Sequence, residues 1–280
     1  MDLETNGTLI DAHAARFLRE EAGVGFVSVS IDSVDPSRHD AFRGVRGAYD
    51  RVVAAVRHLV TAGYRPQVIM SPHRGNVAEV DSVVALAVGL GAGSVKFNPI
   101  TKVGRGRALH ERGEGLDYNE TRSLIRHVFG PLQARTPIPL HLGAPMALLN
   151  VRDLLSERWK GVCSVESTLG LLGTGQMAMC GIGREIPDLV YGQLGKDDLR
   201  DVWISSPALI ALRRALVGPW PGVCGDCVHA DFCRTGCLAI NHATCGSLVA
   251  PNELCREANE RGEFPSTRRR RGGAPSCGAV

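Results

Sequence analysis

Val27-Ser28-Val29-Ser30-Ile31-Asp32 alternates apolar and polar residues, the period of two that a β-strand shows when one face is turned to a core. Downstream, Val52, Val53, Val56, Leu59 and Val60 recur at helical spacing between Tyr49 and Ala62, and Gly63 closes the run. A second strand is expected over Gln67 to Met70. The next helix carries Val80, Val83, Val84, Ala87 and Val88 on one stripe and stops at Gly89, Gly91 and Gly93; the strand Val95 to Phe97 then runs into Asn98-Pro99. Strand, helix, strand, helix, strand is the pattern of right-handed parallel βαβ units. Parallel α/β folds place their chemistry at the carboxyl ends of strands, where Ser30, Asp32, Ser71, His73 and Asn98 fall. The plainer reading is that such residues make turns or cap helices.

A length of 280 residues, a hydrophobic fraction of 44% and 22% charged residues describe ordinary globular composition. The net charge of +3 implies no general nucleic-acid affinity, and the run Arg268 to Arg271 reads as part of a solvated, disordered tail. No apolar stretch is long enough to span a membrane and no secretory signal is present, so the expected setting is the cytoplasm. A helix is expected from about Leu116 to Gln133, followed by the short strand-like run Ile138 to Leu142. His141 in that run is either a structural histidine or an acid–base candidate.

Cysteine placement is the second strong signal. Cys224, Cys227, Cys233 and Cys237 stand as C-x2-C-x5-C-x3-C, Cys255 follows, and upstream Cys163 leads to a G-x4-C step at Cys180. Seven of the nine cysteines enter this layout, leaving Cys245 and Cys277. In a reducing compartment such clustering favours metal ligation over disulfides. Soft thiolates suit iron–sulfur clusters or tetrahedral zinc. Zinc would account for four of these residues and leave Cys163, Cys180 and Cys255 unexplained. Leu169 to Cys180 reads as two short strands around Gly173-Thr174-Gly175, a hairpin that returns Cys180 to the side of Cys163.

Thr5-Asn6-Gly7, Val29-Ser30-Ile31-Asp32, His39-Asp40-Ala41-Phe42-Arg43-Gly44 and the glycine-bearing stretch 98–106 together resemble the middle of a radical SAM domain. Tyr191-Gly192-Gln193-Leu194-Gly195, Leu199-Arg200-Asp201-Val202-Trp203 and the cysteine pattern resemble the SPASM extension of radical SAM maturases. The resemblance implies an α/β fold: a partial (β/α)6 TIM-like barrel over 1–135, a linker and last barrel segment over 136–162, a SPASM auxiliary-cluster domain over 163–260 and a basic tail over 261–280. It also implies that Ser30, Asp32, Arg43 and Asn98 help hold S-adenosylmethionine, with Ser30 at the ribose and Arg43 at ribose or carboxylate, while His39 buttresses its loop. Alternatively, Arg43 forms a surface ion pair with Asp40 or Asp35, and Ser30 an interior hydrogen bond.

Position by position, the resemblance assigns one auxiliary [4Fe-4S] cluster to Cys224, Cys227, Cys233 and Cys255. A second falls to Cys163, Cys180 and Cys237. The family's usual fourth ligand of that second cluster falls on Glu157, which leaves an open iron site or another ligand, with Cys245 the obvious spare. The C-x3-C-x2-C motif that binds the cofactor-cleaving cluster does not occur in the sequence. The expectation is therefore a truncated piece of a radical SAM/SPASM oxidoreductase or maturase acting on a peptide or protein, with an electron donor such as flavodoxin or ferredoxin. The rival is a non-catalytic iron–sulfur subunit. Chemistry at a nucleic acid or a membrane is not expected.

Overall fold

The computed structural model describes residues 1–155, 163–182 and 186–270. In chain order these form β1 (Asp2–Thr5), α1 (Ala12–Glu20), β2 (Phe26–Ser30), α2 (Pro36–Arg43), α3 (Ala48–Thr61), β3 (Gln67–Met70), α4 (Val80–Gly89), β4 (Ser94–Phe97), α5 (Arg105–Glu111), α6 (Tyr118–His127), α7 (Gln133–Arg135), β5 (Leu140–Leu142) and α8 (Val151–Leu154). There follow β6 (Gly170–Leu171), β7 (Gln176–Ala178), β8 (Val190–Gln193), α9 (Leu199–Ser205), α10 (Pro207–Ala215), α11 (Ala230–Cys233), α12 (Leu238–Cys245) and α13 (Glu253–Glu260). The chain divides into two compact units, the first built on residues 1–100 and 109–143 and the second on residues 101–108, 144–155 and the described residues from 163 onward.

The first unit is built on a five-stranded sheet in the order β1-β2-β3-β4-β5, parallel throughout. Register sorts its faces. Val29, Val68, Val95 and Leu140 make one cross-sheet row, and Met70, Phe97 and Leu142 continue that apolar face. The other face carries Ser28, Gln67 and Ser94 as a polar ladder, with Gln67 Nε2 donating to Ser94 Oγ at 2.9 Å. One step toward the strand ends lies the row Ser30, Ile69, Lys96 and His141. Ser28 is as buried as its valine neighbours, so the period-two pattern marks two chemically different interior faces and not a solvated one.

The Thr5-Asn6-Gly7 turn shows why its glycine is needed. Gly7 has φ +74°, and a Cβ there would stand 2.7 Å from Val29 Cγ1 and 3.1 Å from Val52 Cγ2. A side chain would therefore meet both a conformational and a packing penalty where β1 hands over to α1. The single helix expected over 116–133 is broken: Gly130 leaves helical geometry immediately before Pro131, as a ring without an N–H donor dictates.

The second unit holds an antiparallel sheet, β6-β7-β8, and six helices from α8 to α13. The expected hairpin is present, with Gly170 opposite Ala178. Gly192 on β8 has no room for a side chain, since a Cβ would lie 2.8 Å from Val202 Cγ2 of α9. Val165, Met179, Leu209, Leu212 and Leu238 lead its core, and Cys163, Cys180 and Cys237 pack against that same cluster. Arg268 to Arg270, assigned by sequence to a solvated tail, are instead tied down: Arg268 donates to Leu149 O at 3.0 Å, Arg269 to Asn259 Oδ1 at 2.6 Å and Arg270 to Asp231 Oδ2 at 2.9 Å. Guanidinium forks find carbonyl and carboxylate acceptors here, which composition alone does not disclose.

Candidate functional site

At the end of β2 the polar residues form a network centred on Asp32. Asp32 Oδ1 accepts from the Ser71 backbone N–H at 2.9 Å, and its carbonyl accepts from Asn76 Nδ2 at 2.9 Å. Its own N–H donates to His39 Nδ1 at 3.2 Å. His39 thus acts as an acceptor that fastens α2 to the strand end, and burial ahead of all else pushes its pKa down, keeping that nitrogen free. Arg43 Nη2 lies 2.5 Å from Asp32 Oδ2. The pair is ionic, without hydrogen-bond alignment at Oδ2, and Arg43 Nε is buried with no partner among the described residues. Arg43 therefore pairs with Asp32 and not with Asp40 or Asp35. Asp40 instead accepts the Gly47 and Tyr49 backbone N–H groups, and Asp35 caps α2 through Arg38 N. Ser30 is half-buried at the end of β2, whereas Asn98 is exposed and anchored by its backbone N–H to Met70 O at 2.9 Å. Phe42 stacks on His73 with ring centroids 4.8 Å apart.

In the second unit the cysteines gather into two groups. Cys224, Cys227, Cys233 and Cys255 line one pocket with Ala147, Val223 and Phe264, enclosing about 290 Å³ of atom-free space that includes its open mouth. Burial, then the neighbouring Cys233 and Cys227, pushes the Cys224 thiol up to about 12. Cys255 is driven well above its ordinary value by burial and then by Cys233, Cys224 and Cys227. His229 lines the same pocket, and among the described residues its buried Nε2 has no hydrogen-bond partner. Cys163, Cys180 and Cys237 make the second group: burial and then Cys163 and Cys180 lift Cys237 to about 11. Thiols so crowded resist ionising side by side unless a multivalent cationic centre neutralises them. Among the described residues, however, no three His, Cys, Asp or Glu side chains stand as ligands of a single metal ion. Zinc needs sulfurs about 2.3 Å from one common point. A cubane instead gives each thiolate its own iron.

The segment between Cys233 and Cys237 aims its two ends at different groups. Arg234, Thr235 and Gly236 have φ of +50°, +65° and +86°, and left-handed geometry costs a non-glycine residue about 1–2 kcal/mol. Asn241, 2% exposed, holds this turn: its Nδ2 reaches Thr235 O at 3.2 Å, Thr235 Oγ1 at 3.1 Å and Ala250 O at 2.9 Å. Asn241→Ala would strand these buried acceptors, so a loss of about 2 kcal/mol is expected. Denaturant unfolding together with faster thiol labelling at Cys233 and Cys237 would register it; an unchanged midpoint would remove this role from Asn241.

No protein-family model matches the chain. Sequence comparison aligns it with an AdoMet-dependent heme synthase of Methanosarcina barkeri (strain Fusaro / DSM 804), 28% identical over 264 residues, covering 90% of this chain and 73% of the relative. The mycofactocin maturase MftC of Mycolicibacterium smegmatis is 27% identical over 263 residues, covering 90% and 62%. The PqqA peptide cyclase of Methylocella silvestris is 27% identical over 242 residues, covering 84% and 61%. The chain is a homologue of radical SAM/SPASM-type maturases. It spans 61% of the shortest-matched of these relatives and 73% of the longest-matched. Among solved structures, anSMEcpe with bound AdoMet and a Kp18Cys peptide superposes with a TM-score of 0.63 at 15% identity, over 94% of this chain and 72% of that one. Streptococcus suis SuiB bound to S-adenosylmethionine gives 0.63 at 16%, over 91% and 59%. The fold is therefore that of the radical SAM enzymes.

Against that radical SAM frame, the structure brings Asp32 and Arg43 together and gathers the seven cysteines as four and three. Asn98 stands apart from the Asp32 network in the contacts described above. Cys245 is exposed at the end of α12 with Arg256 Nη1 3.6 Å from its sulfur. Glu157 and Cys277 lie outside the described residues. Asn76, His229, Asn241 and Tyr191 were not singled out by sequence reasoning. Single polar residues without a spacing pattern give no signal, although Tyr191 opens the stretch 191–195 that carries the SPASM resemblance, where no role was assigned to it. Among the described residues no helix is long and apolar enough to cross a membrane.

Proposed function

We propose that the chain belongs to a radical SAM/SPASM oxidoreductase or maturase that modifies a peptide or protein substrate. The observation that carries this reading is the convergence of Cys224, Cys227, Cys233 and Cys255 on one pocket in a chain homologous to maturases. These four thiolates would hold one auxiliary [4Fe-4S] cluster, and Cys163, Cys180 and Cys237 would provide three ligands of another. Such clusters, when bound, supply one-electron transfer or a site for a substrate ligand.

The chain's own residues position and insulate. Val223, Ala147 and Phe264 give the four-thiol pocket apolar walls, and the His229 Nε2, unpartnered among the described residues, offers it a polar contact. At the strand ends, Ser30 can present a hydroxyl to a ribose, and Arg43 can present its remaining guanidinium donors to an anionic group of S-adenosylmethionine. Asp32 pairs with the Arg43 guanidinium, and His39 fastens α2, which carries Arg43, to the strand end. The names of relatives favour a peptide substrate: the cyclase is named for a PqqA peptide and the anSMEcpe structure holds a peptide.

Oxygen-free reconstitution with iron and sulfide tests the reading. Two clusters correspond to roughly eight irons and eight sulfides per chain. Zinc bound without inorganic sulfide would overturn it, and one cluster's worth would withdraw the assignment to Cys163, Cys180 and Cys237.

A further inference from the structure

The group of three thiols has a polar neighbour of an unusual kind. Tyr191 lies on β8, which pairs with β7 two residues before Cys180. Its ring packs against the apolar cluster that also receives Cys163, Cys180 and Cys237. Its hydroxyl is buried and has no hydrogen-bond partner among the described residues. A buried phenol left unpaired costs about 1–3 kcal/mol, so native proteins supply a partner. Its electrostatic neighbours are Cys180, Cys163 and Arg213. Arg213 offers no solution, because a guanidinium has donors and no acceptor. It is moreover engaged elsewhere, donating to Trp203 O at 2.9 Å and lying 4.6 Å from the centroid of the Trp203 ring. The neighbouring thiols make a sulfur the candidate acceptor for the phenolic proton.

We propose that the Tyr191 hydroxyl donates a hydrogen bond to a sulfur of the cluster held by Cys163, Cys180 and Cys237, and thereby raises its reduction potential. The proposal rests on the cluster assignment of the preceding subsection. A hydrogen bond to a cluster sulfur offsets negative charge that grows on reduction, which favours the reduced state. Tyr191 is thus a positioning and tuning residue, not an iron ligand.

The test uses the full chain, reconstituted without oxygen, as wild type and as Tyr191→Phe, with Tyr191→Leu as a second variant should the first fold poorly. Three results are expected. Iron and sulfide contents stay at the wild-type level. One of the two reduction steps in an EPR-monitored redox titration moves to a more negative potential. One exchangeable proton coupling, present in wild type and removed by D2O, disappears from the ENDOR spectrum of that cluster. Unchanged potentials and proton couplings would overturn the proposal, and loss of iron in the variants would overturn it in favour of direct ligation by the phenol oxygen. A wild-type chain that takes up no sulfide removes the cluster reading and the proposal together, whereas wild-type clusters that Tyr191 does not perturb remove the proposal alone.

Discussion

Cys227→Ser combined with Cys233→Ser is expected to halve the iron and sulfide of the reconstituted chain, from about eight of each to about four. The reasoning starts from the two separate groups of thiols. Cys227 and Cys233 belong to the pocket shared with Cys224 and Cys255, and two remaining thiolates cannot hold a cubane that takes four. Serine keeps the shape of the side chain but offers a hard, weakly acidic oxygen in place of a soft thiolate. Cys163, Cys180 and Cys237 pack against a different apolar cluster led by Leu209 and Leu238, so their share of the chromophore should survive. Stability should fall as well, because metal-centre binding free energy is folding free energy for the segment that closes around it. Iron and sulfide counting, with the visible absorption of the brown protein, reads the result. Should the double variant keep its full colour and iron, the four-thiol site does not exist as described.

What sequence could and could not disclose follows from the range of the forces involved. The strand Gln67–Met70 and the helix Ala48–Thr61 lie where apolar spacing placed them, since period and face are local properties of the chain. Cysteine spacing likewise exposed all seven grouped thiols, because ligand steps such as C-x2-C are short enough to be set by one turn of backbone. Other features depend on partners far along the chain. Ser28 is buried through Gln67 and Ser94, and no pattern around Ser28 states that. The pairing of Arg43 with Asp32 and not with the nearer-looking Asp40 arises because Asp40 is already occupied by the N–H groups at the start of α3. Helix α10 starts at Pro207, separating it from α9. Tyr191 and Asn241 acquire their meaning only from what the fold leaves unsatisfied beside them.

Arg43→Ala is expected to cost about 3 kcal/mol of stability, toward the lower end for breaking a buried ion pair. Asp32 is the more enclosed partner, with its side chain 1% exposed against 25% for Arg43. Removing the guanidinium leaves a carboxylate that cannot reach water, although Ser71 N still donates to Oδ1 at 2.9 Å. The double variant Asp32→Asn/Arg43→Ala deletes both charges and keeps an amide oxygen to accept from Ser71, so it should recover most of the loss. The two measurements separate architecture from cofactor binding. Denaturant midpoints at neutral pH should drop for the single variant and largely return for the double. S-adenosylmethionine binding, followed on the full chain, should be weakened in both, because neither has the guanidinium. Recovered stability without recovered affinity assigns Arg43 two separable duties: neutralising Asp32 where β2 meets β3, and offering its free donors to the cofactor. A single variant as stable as wild type would instead show that Asp32 does not depend on the Arg43 guanidinium, and the pair would carry no share of the stability.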